Sequence, residues 1–171
     1  LGAGRIGRVH ARAISSSDKA QLAAIFDPVA DAAQAIATRY GAAVMDVDSI
    51  AADTTIDGVI LCTPTDLHAD QIEQFARAGK AVFCEKPIDL DAGRVRDCLQ
   101  VVAENGAPLM VGFNRRFDPH FMALKAAIED GRIGTPEMGV ITSRDPGAPP
   151  ADYIRRSGGI FRDMMIHDFD M

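Results

Sequence analysis

Short apolar runs separated by helical segments fill the first hundred or so positions, and this alternation restricts the fold more than any other feature. The runs fall at residues 22–26, 58–62, 81–84 and 109–112. They are continuously apolar rather than alternating, which is the pattern of strands covered on both faces. Between them the spacing predicts helices over residues 5–16, 31–40, 66–78 and 92–104, with Gly41, Gly79 and the Asn105, Gly106 pair as stop signals. Parallel neighbours need such crossovers, so the expectation is an α/β fold with a doubly wound parallel sheet of the Rossmann type.

The pattern changes after Phe113. A helix is expected over residues 119–130, then a partly alternating strand over 138–143, and then a loop rich in Pro146, Gly147, Pro149 and Pro150. The closing stretch, residues 160–171, reads as one apolar, largely buried helix. A domain boundary is therefore placed at residue 113, with 1–113 as the sheet domain and 114–171 as the start of an α+β domain. Only Leu1 precedes a glycine loop that normally follows a full strand, and residue 171 falls inside a helical pattern without a stop signal. The sequence therefore reads as a piece of a longer chain.

The loop itself is Gly2, Ala3, Gly4, Arg5, Ile6, Gly7, a G-x-G-x-x-G pattern opening a helix. Alone it could be an ordinary strand-to-helix turn. In a β-α-β setting the first glycine permits the tight turn, the second lets backbone N–H groups approach a pyrophosphate, and the third lets helix pack against strand. The helix start then presents its positive dipole end to the phosphates. Asp27 lies 20 positions beyond Gly7, at the end of the second strand, where a carboxylate can accept from both ribose hydroxyls. It would repel a 2′-phosphate, and Pro28, Val29 and Ala30 supply no cation to receive one, so NAD is expected over NADP. Thr63 and Pro64 close the strand that starts near Gly58, at the carboxyl edge where ligands bind. With His68 they could line the cofactor, or form no more than a proline turn and a polar helix start.

Glu85, Lys86 and Pro87 follow the next strand at the same edge. Glu85 and Lys86 are counted with the expected cofactor-binding residues, a lysine there points toward the place where cofactor and substrate meet, and Pro87 restricts its backbone. Near an oxidised nicotinamide, like charge and burial would favour its neutral form and ease proton exchange. Asp163 and His167 are four apart on the expected final helix, which would put both on one face. Alcohol oxidation needs a base for the hydroxyl proton, a role suited to neutral imidazole, with a carboxylate nearby to orient it. A solvated lysine and a polar surface pair are the plain alternatives. Asp163, His167 and Asp170 lack a further spaced ligand to complete a metal site, so no metal is expected. His10 and His120 have no such companions and carry no assignment.

Composition narrows the partners. A formal charge of -6 argues against nucleic acid or an anionic membrane. Cys62, Cys84 and Cys98 form no C-x-x-C pair and read as buried thiols of a reducing cytoplasm. No apolar stretch approaches the roughly 20 residues of a membrane span.

With these residues assembled, the chain resembles the Gfo/Idh/MocA oxidoreductase family, with its inositol 2-dehydrogenases as the nearest branch. The resemblance rests on the glycine loop, Thr63 and Pro64, the Glu85, Lys86, Pro87 triplet, residues 112–118 beginning Gly112, Phe113, Asn114, Arg115, and residues 157–171. It implies that Lys86, Asp163 and His167 form a catalytic triad, with His167 as base and Lys86 and Asp163 binding the reacting hydroxyl. It implies further that Asn114 and Arg115 sit beside a polyol, that 114–171 begins a substrate and oligomerisation domain, and that the whole protein is a homotetramer. The implied reaction is NAD-dependent oxidation of myo-inositol to 2-keto-myo-inositol. A dehydrogenase for another inositol isomer or sugar, or a non-catalytic dinucleotide-binding module, are the competing expectations.

Overall fold

Among the described residues five strands pair in parallel, and two residues at the chain start complete their order. β1 (Ala24–Ile25) pairs with β2 (Ala43–Val44), while β3 (Gly58–Leu61), β4 (Ala81–Cys84) and β5 (Leu109–Val111) form a second ladder. The register sets Val59 beside Val82 and Val82 beside Leu109. Leu1 and Gly2 bridge the two ladders. The Gly2 N–H donates to the Phe26 carbonyl, the Cys62 N–H donates to the Leu1 carbonyl, and the Leu1 amino group reaches the Ile60 carbonyl at 2.6 Å. The resulting sequence across the sheet is β2, β1, Leu1–Gly2, β3, β4, β5. That is the Rossmann arrangement, with the switch point beside the glycine loop.

This computed structural model describes residues 1–144 and 146–171, with Asp152 described for its backbone alone. The chain divides into two units, Leu1–Gly112 and Phe113–Met171. In the first unit the crossovers are α1 (Arg5–Ser15), α2 (Ala30–Tyr40), α3 (Val47–Ala52), α4 (Thr65–Arg77) and α5 (Ala92–Glu104). Asp91 caps α5 by accepting the Arg94 N–H at 2.8 Å, and Asp46 caps α3 in the same way through Ser49. The larger core gathers Leu61, Val82 and Cys84 from the sheet against Ile72, Phe75, Cys98 and Val102 from α4 and α5. Phe75, Leu61 and Ile72 are wholly buried, each removal from water contributing about 1.5–3 kcal/mol. A smaller core of Ala3, Ala11, Ile25, Ala33, Ile36 and Ala37 joins α1 and α2 to β1. Alanines dominate it, so helices and strand approach closely around the glycine loop.

The second unit holds a 3-10 turn (Asn114–Phe117), α6 (Pro119–Glu129), α7 (Ala151–Arg156), α8 (Ile160–Asp163) and α9 (Ile166–Phe169). Asp118 caps α6, and Pro119 occupies its first turn, where a missing N–H costs nothing. Two expectations fail here. Residues 138–143 form no strand: no described segment pairs with them, and a strand without a ladder leaves its backbone groups to water. Met138 is accordingly 87% exposed. The closing helix is broken at Met164 and Met165, and Ile160, Phe161 and Phe169 are exposed rather than buried. The proline-rich stretch, read as a loop, runs directly into α7 after Pro150.

Candidate functional site

In the first unit the site is built around the start of α1. Gly2 has φ 89°, and a Cβ there would lie 2.6 Å from the Cys62 carbonyl oxygen, so only glycine fits this close crossing. A Cβ on Gly7 would lie 2.0 Å from the Gly2 carbonyl oxygen, which seats α1 hard against the loop. Gly4 is different. A Cβ there would meet no protein atom within 4 Å, and the residue is exposed. Internal packing therefore does not require glycine at this position, whereas close approach of a ligand to the backbone does.

The helix start is suited to an anion. Gly4 is its N-cap and contributes no side-chain cap, and no acidic residue stands in the first turn, which holds Arg5, Ile6 and Gly7. Asp27 closes the other wall. Its Oδ2 accepts the Ala3 N–H at 2.6 Å and its Oδ1 the Val29 N–H at 2.8 Å, so the carboxylate is fixed against the glycine loop at the end of β1. These residues fit a dinucleotide, with phosphates at the helix start and the Asp27 carboxylate at the end of the adjacent strand available to the ribose.

The next loop at the carboxyl edge holds Thr63 and Pro64, with the Thr63 hydroxyl on Gln71 Oε1 at 2.5 Å. His68 corrects an expectation. It is 1% exposed, with Nδ1 2.7 Å from the Pro87 carbonyl and Nε2 2.8 Å from the Thr63 carbonyl. A ring spent on two carbonyls offers the cofactor no face, and its work is to brace the Thr63 loop against the Glu85, Lys86, Pro87 loop. Lys86 is half-buried directly beyond β4, and the peptide joining it to Pro87 is cis. Glu85 carries the partner that sequence reasoning missed. His10 Nε2 lies 2.6 Å from Glu85 Oε1 across 75 positions of chain, and a lone histidine on a helix gives no signal of that distant carboxylate.

In the second unit, Asp163 ends α8 and His167 lies within α9, so the spacing of four does not arise from one continuous helix. The Tyr153 hydroxyl of α7 donates to the Asp163 Oδ1 at 2.7 Å. His167 stands edge-on to the Phe113 ring, centroids 6.4 Å apart at 84°. Its neighbour Asp168 accepts the Ser143 hydroxyl at 2.6 Å and the Arg115 guanidinium. Ser143 first, and then Arg115, hold the Asp168 carboxyl below its ordinary range. The Arg115 guanidinium also lies over the Phe121 ring, and Asn114 opens the 3-10 turn just before it. Asp170, weighed above as a metal ligand, is taken by the fork of Arg116, with Nε to Oδ2 at 2.8 Å and a terminal nitrogen to Oδ1 at 2.6 Å. Tyr153, Ser143 and Asp168 could not be found from sequence spacing, since each acts through a contact made by folding.

Comparison with known proteins agrees with this geometry. Residues 1–113 match a family model described as the oxidoreductase family, NAD-binding Rossmann fold, and residues 121–171 match the GFO/IDH/MocA C-terminal domain. An inositol 2-dehydrogenase of Rhizobium meliloti (strain 1021) is 68% identical over 171 residues, covering 100% of this chain and 52% of that protein. A crystal structure of a myo-inositol dehydrogenase from Corynebacterium glutamicum superposes with TM-score 0.92 at 46% identity, over 99% of this chain and 51% of that one. A Lactobacillus casei scyllo-inositol dehydrogenase, solved with NAD(H) and scyllo-inositol bound, gives TM-score 0.85 at 34% identity over 99% and 52%. The chain spans about half the length of the curated relatives it matches.

Proposed function

Because the chain belongs to the Gfo/Idh/MocA oxidoreductase family and its residues 1–113 carry that family's NAD-binding Rossmann fold, we propose that the complete protein oxidises a cyclic polyol with NAD. Myo-inositol is the substrate proposed first, with 2-keto-myo-inositol as product. The observation that carries this reading is the 68% identity, over all 171 residues, to an inositol 2-dehydrogenase. We assign residues 1–113 to the cofactor and 114–171 to the start of the substrate and oligomerisation domain.

NAD, when bound, supplies the hydride acceptor. Gly2, Gly4, Arg5, Ile6 and Gly7 cradle its pyrophosphate at the start of α1, Asp27 takes the ribose hydroxyls, and Thr63 and Pro64 line the edge beyond. His167 removes the proton of the reacting hydroxyl, a role for which a neutral imidazole is chemically suited. Lys86 and Asp163 hold that hydroxyl from opposite charges, which fixes its oxygen and polarises its O–H bond. The Tyr153 hydroxyl keeps Asp163 in place for this task. Asn114 and Arg115 flank the remaining ring hydroxyls, with Arg115 anchored by Asp168 and Ser143.

The test is the rate of reduced nicotinamide formation, read at about 340 nm, for the complete protein with myo-inositol, scyllo-inositol and glucose. The proposal expects the highest kcat/KM with myo-inositol. A preference for scyllo-inositol or glucose would favour the second reading, a dehydrogenase of another cyclic polyol or sugar, for which the scyllo-inositol relative at 34% identity speaks. Cofactor binding without turnover of any polyol would make the protein a dinucleotide-binding module.

A further inference from the structure

The geometry points to His10 and Glu85 as a positioning pair that sets the direction of Lys86, an inference that rests on the reading of Lys86 as a catalytic residue. His10 stands on α1, one turn beyond Gly7, with its ring edge-on to Phe83 at 5.2 Å between centroids. Its Nε2 meets Glu85 Oε1 at 2.6 Å, with both side chains about four-fifths buried. A histidine and a carboxylate 75 positions apart are thus joined at the residue that immediately precedes Lys86.

Three further features hold Glu85 in place. The Lys86 backbone N–H donates to it. The Glu85 N–H itself is bound to the Leu61 carbonyl at 3.0 Å, which ties the residue to β3. Gly112 closes the third side, because a Cβ there would lie 3.2 Å from Glu85 Oε2 and 3.3 Å from the Phe83 ring. Burial raises the Glu85 carboxyl, but the hydrogen bond and charge of His10, followed by the N–H and charge of Lys86, outweigh it and leave it below its ordinary range. The carboxylate is therefore ionised and spent on protein partners.

The consequence is mechanical. Lys86 follows Glu85 directly, and its N–H is gripped by a carboxylate whose place is set by His10 of α1. That same helix carries the pyrophosphate cradle at its start. His10 thus registers the lysine to the cofactor without touching substrate, and a displacement of about 1 Å at such a group can cost about 100-fold in rate.

The complete enzyme tests this with His10→Ala, His10→Gln, Glu85→Ala and the His10→Ala/Glu85→Ala double variant, assayed for kcat, KM and calorimetric NAD affinity. His10→Ala is expected to lower kcat at least about tenfold while KM and NAD affinity stay within about threefold, since binding groups are untouched. His10→Gln, whose amide N–H can still reach Glu85, should return kcat to within about threefold of the original. On the Glu85→Ala background, His10→Ala should cost less than about twofold more, because the pair acts as one unit. A His10→Ala kcat within twofold of the original, a glutamine variant as slow as alanine, or losses that multiply would each overturn the pairing. Should His10→Ala be too unstable to assay, His10→Asn takes its place, being too short to reach Glu85. Absence of NAD-dependent polyol turnover in the unmodified protein would sink the functional reading itself, whereas turnover unaffected by His10→Ala would sink only the pairing.

Discussion

Asp27 and Ala3 are joined by a 2.6 Å hydrogen bond from the Ala3 N–H to Oδ2, so the carboxylate proposed to read the ribose is also a brace of the glycine loop. Replacing Asp27 with Ser removes a charge that repels a 2′-phosphate and weakens that brace. The expected result is a drop of about tenfold or more in the NAD over NADP preference, with NAD affinity also reduced. Calorimetric titration of both cofactors checks this, and an unchanged preference would remove Asp27 from the cofactor site.

Gly4 and Gly7 should behave in opposite ways. Gly4→Ala meets no protein atom, so the melting temperature should hold while NAD affinity falls about tenfold or more. Gly7→Ala drives a Cβ to within 2.0 Å of the Gly2 carbonyl oxygen and should cost roughly 2 kcal/mol or more of stability. Thermal melts alongside titrations separate the two effects.

Lys86→Ala should abolish polyol turnover and leave NAD affinity within about threefold, because the lysine is assigned to the hydroxyl rather than to the phosphates. Retained turnover would remove Lys86 from the chemistry.

The thiols should be slow to react in the folded protein. Burial pushes Cys62 up to about 11 and Cys98 to about 11, and it raises Cys84 further still. At about pH 8 only ~0.001 of Cys62 would be thiolate, so a disulfide reagent should react slowly before unfolding and with all three cysteines after it. Rapid labelling of Cys62 in the native protein would show that its surroundings are less apolar than described.

Legibility in the sequence followed the range of the interactions. The α5 span and the β4 run were readable from residues 92–104 and 81–84 because periodicity, caps and turn residues are local signals. Gly2, Gly7 and Asp27 were readable because the β-α-β unit places them within 27 positions of one another. Ala43–Val44 and α3 were not, since a two-residue strand and a six-residue helix have too few positions to show a period. The break at Met164 and Met165 was hidden by an unbroken apolar pattern. His10 with Glu85 and Tyr153 with Asp163 depend on the folded chain, and neither pair has a spacing that announces it.

The most direct measurement of the central claim uses myo-inositol deuterated at the carbon bearing the 2-hydroxyl, with the complete protein and NAD. The account predicts reduced nicotinamide that carries the deuterium, formed more slowly than from the protiated substrate. Reduced nicotinamide without deuterium, or none at all, would contradict it.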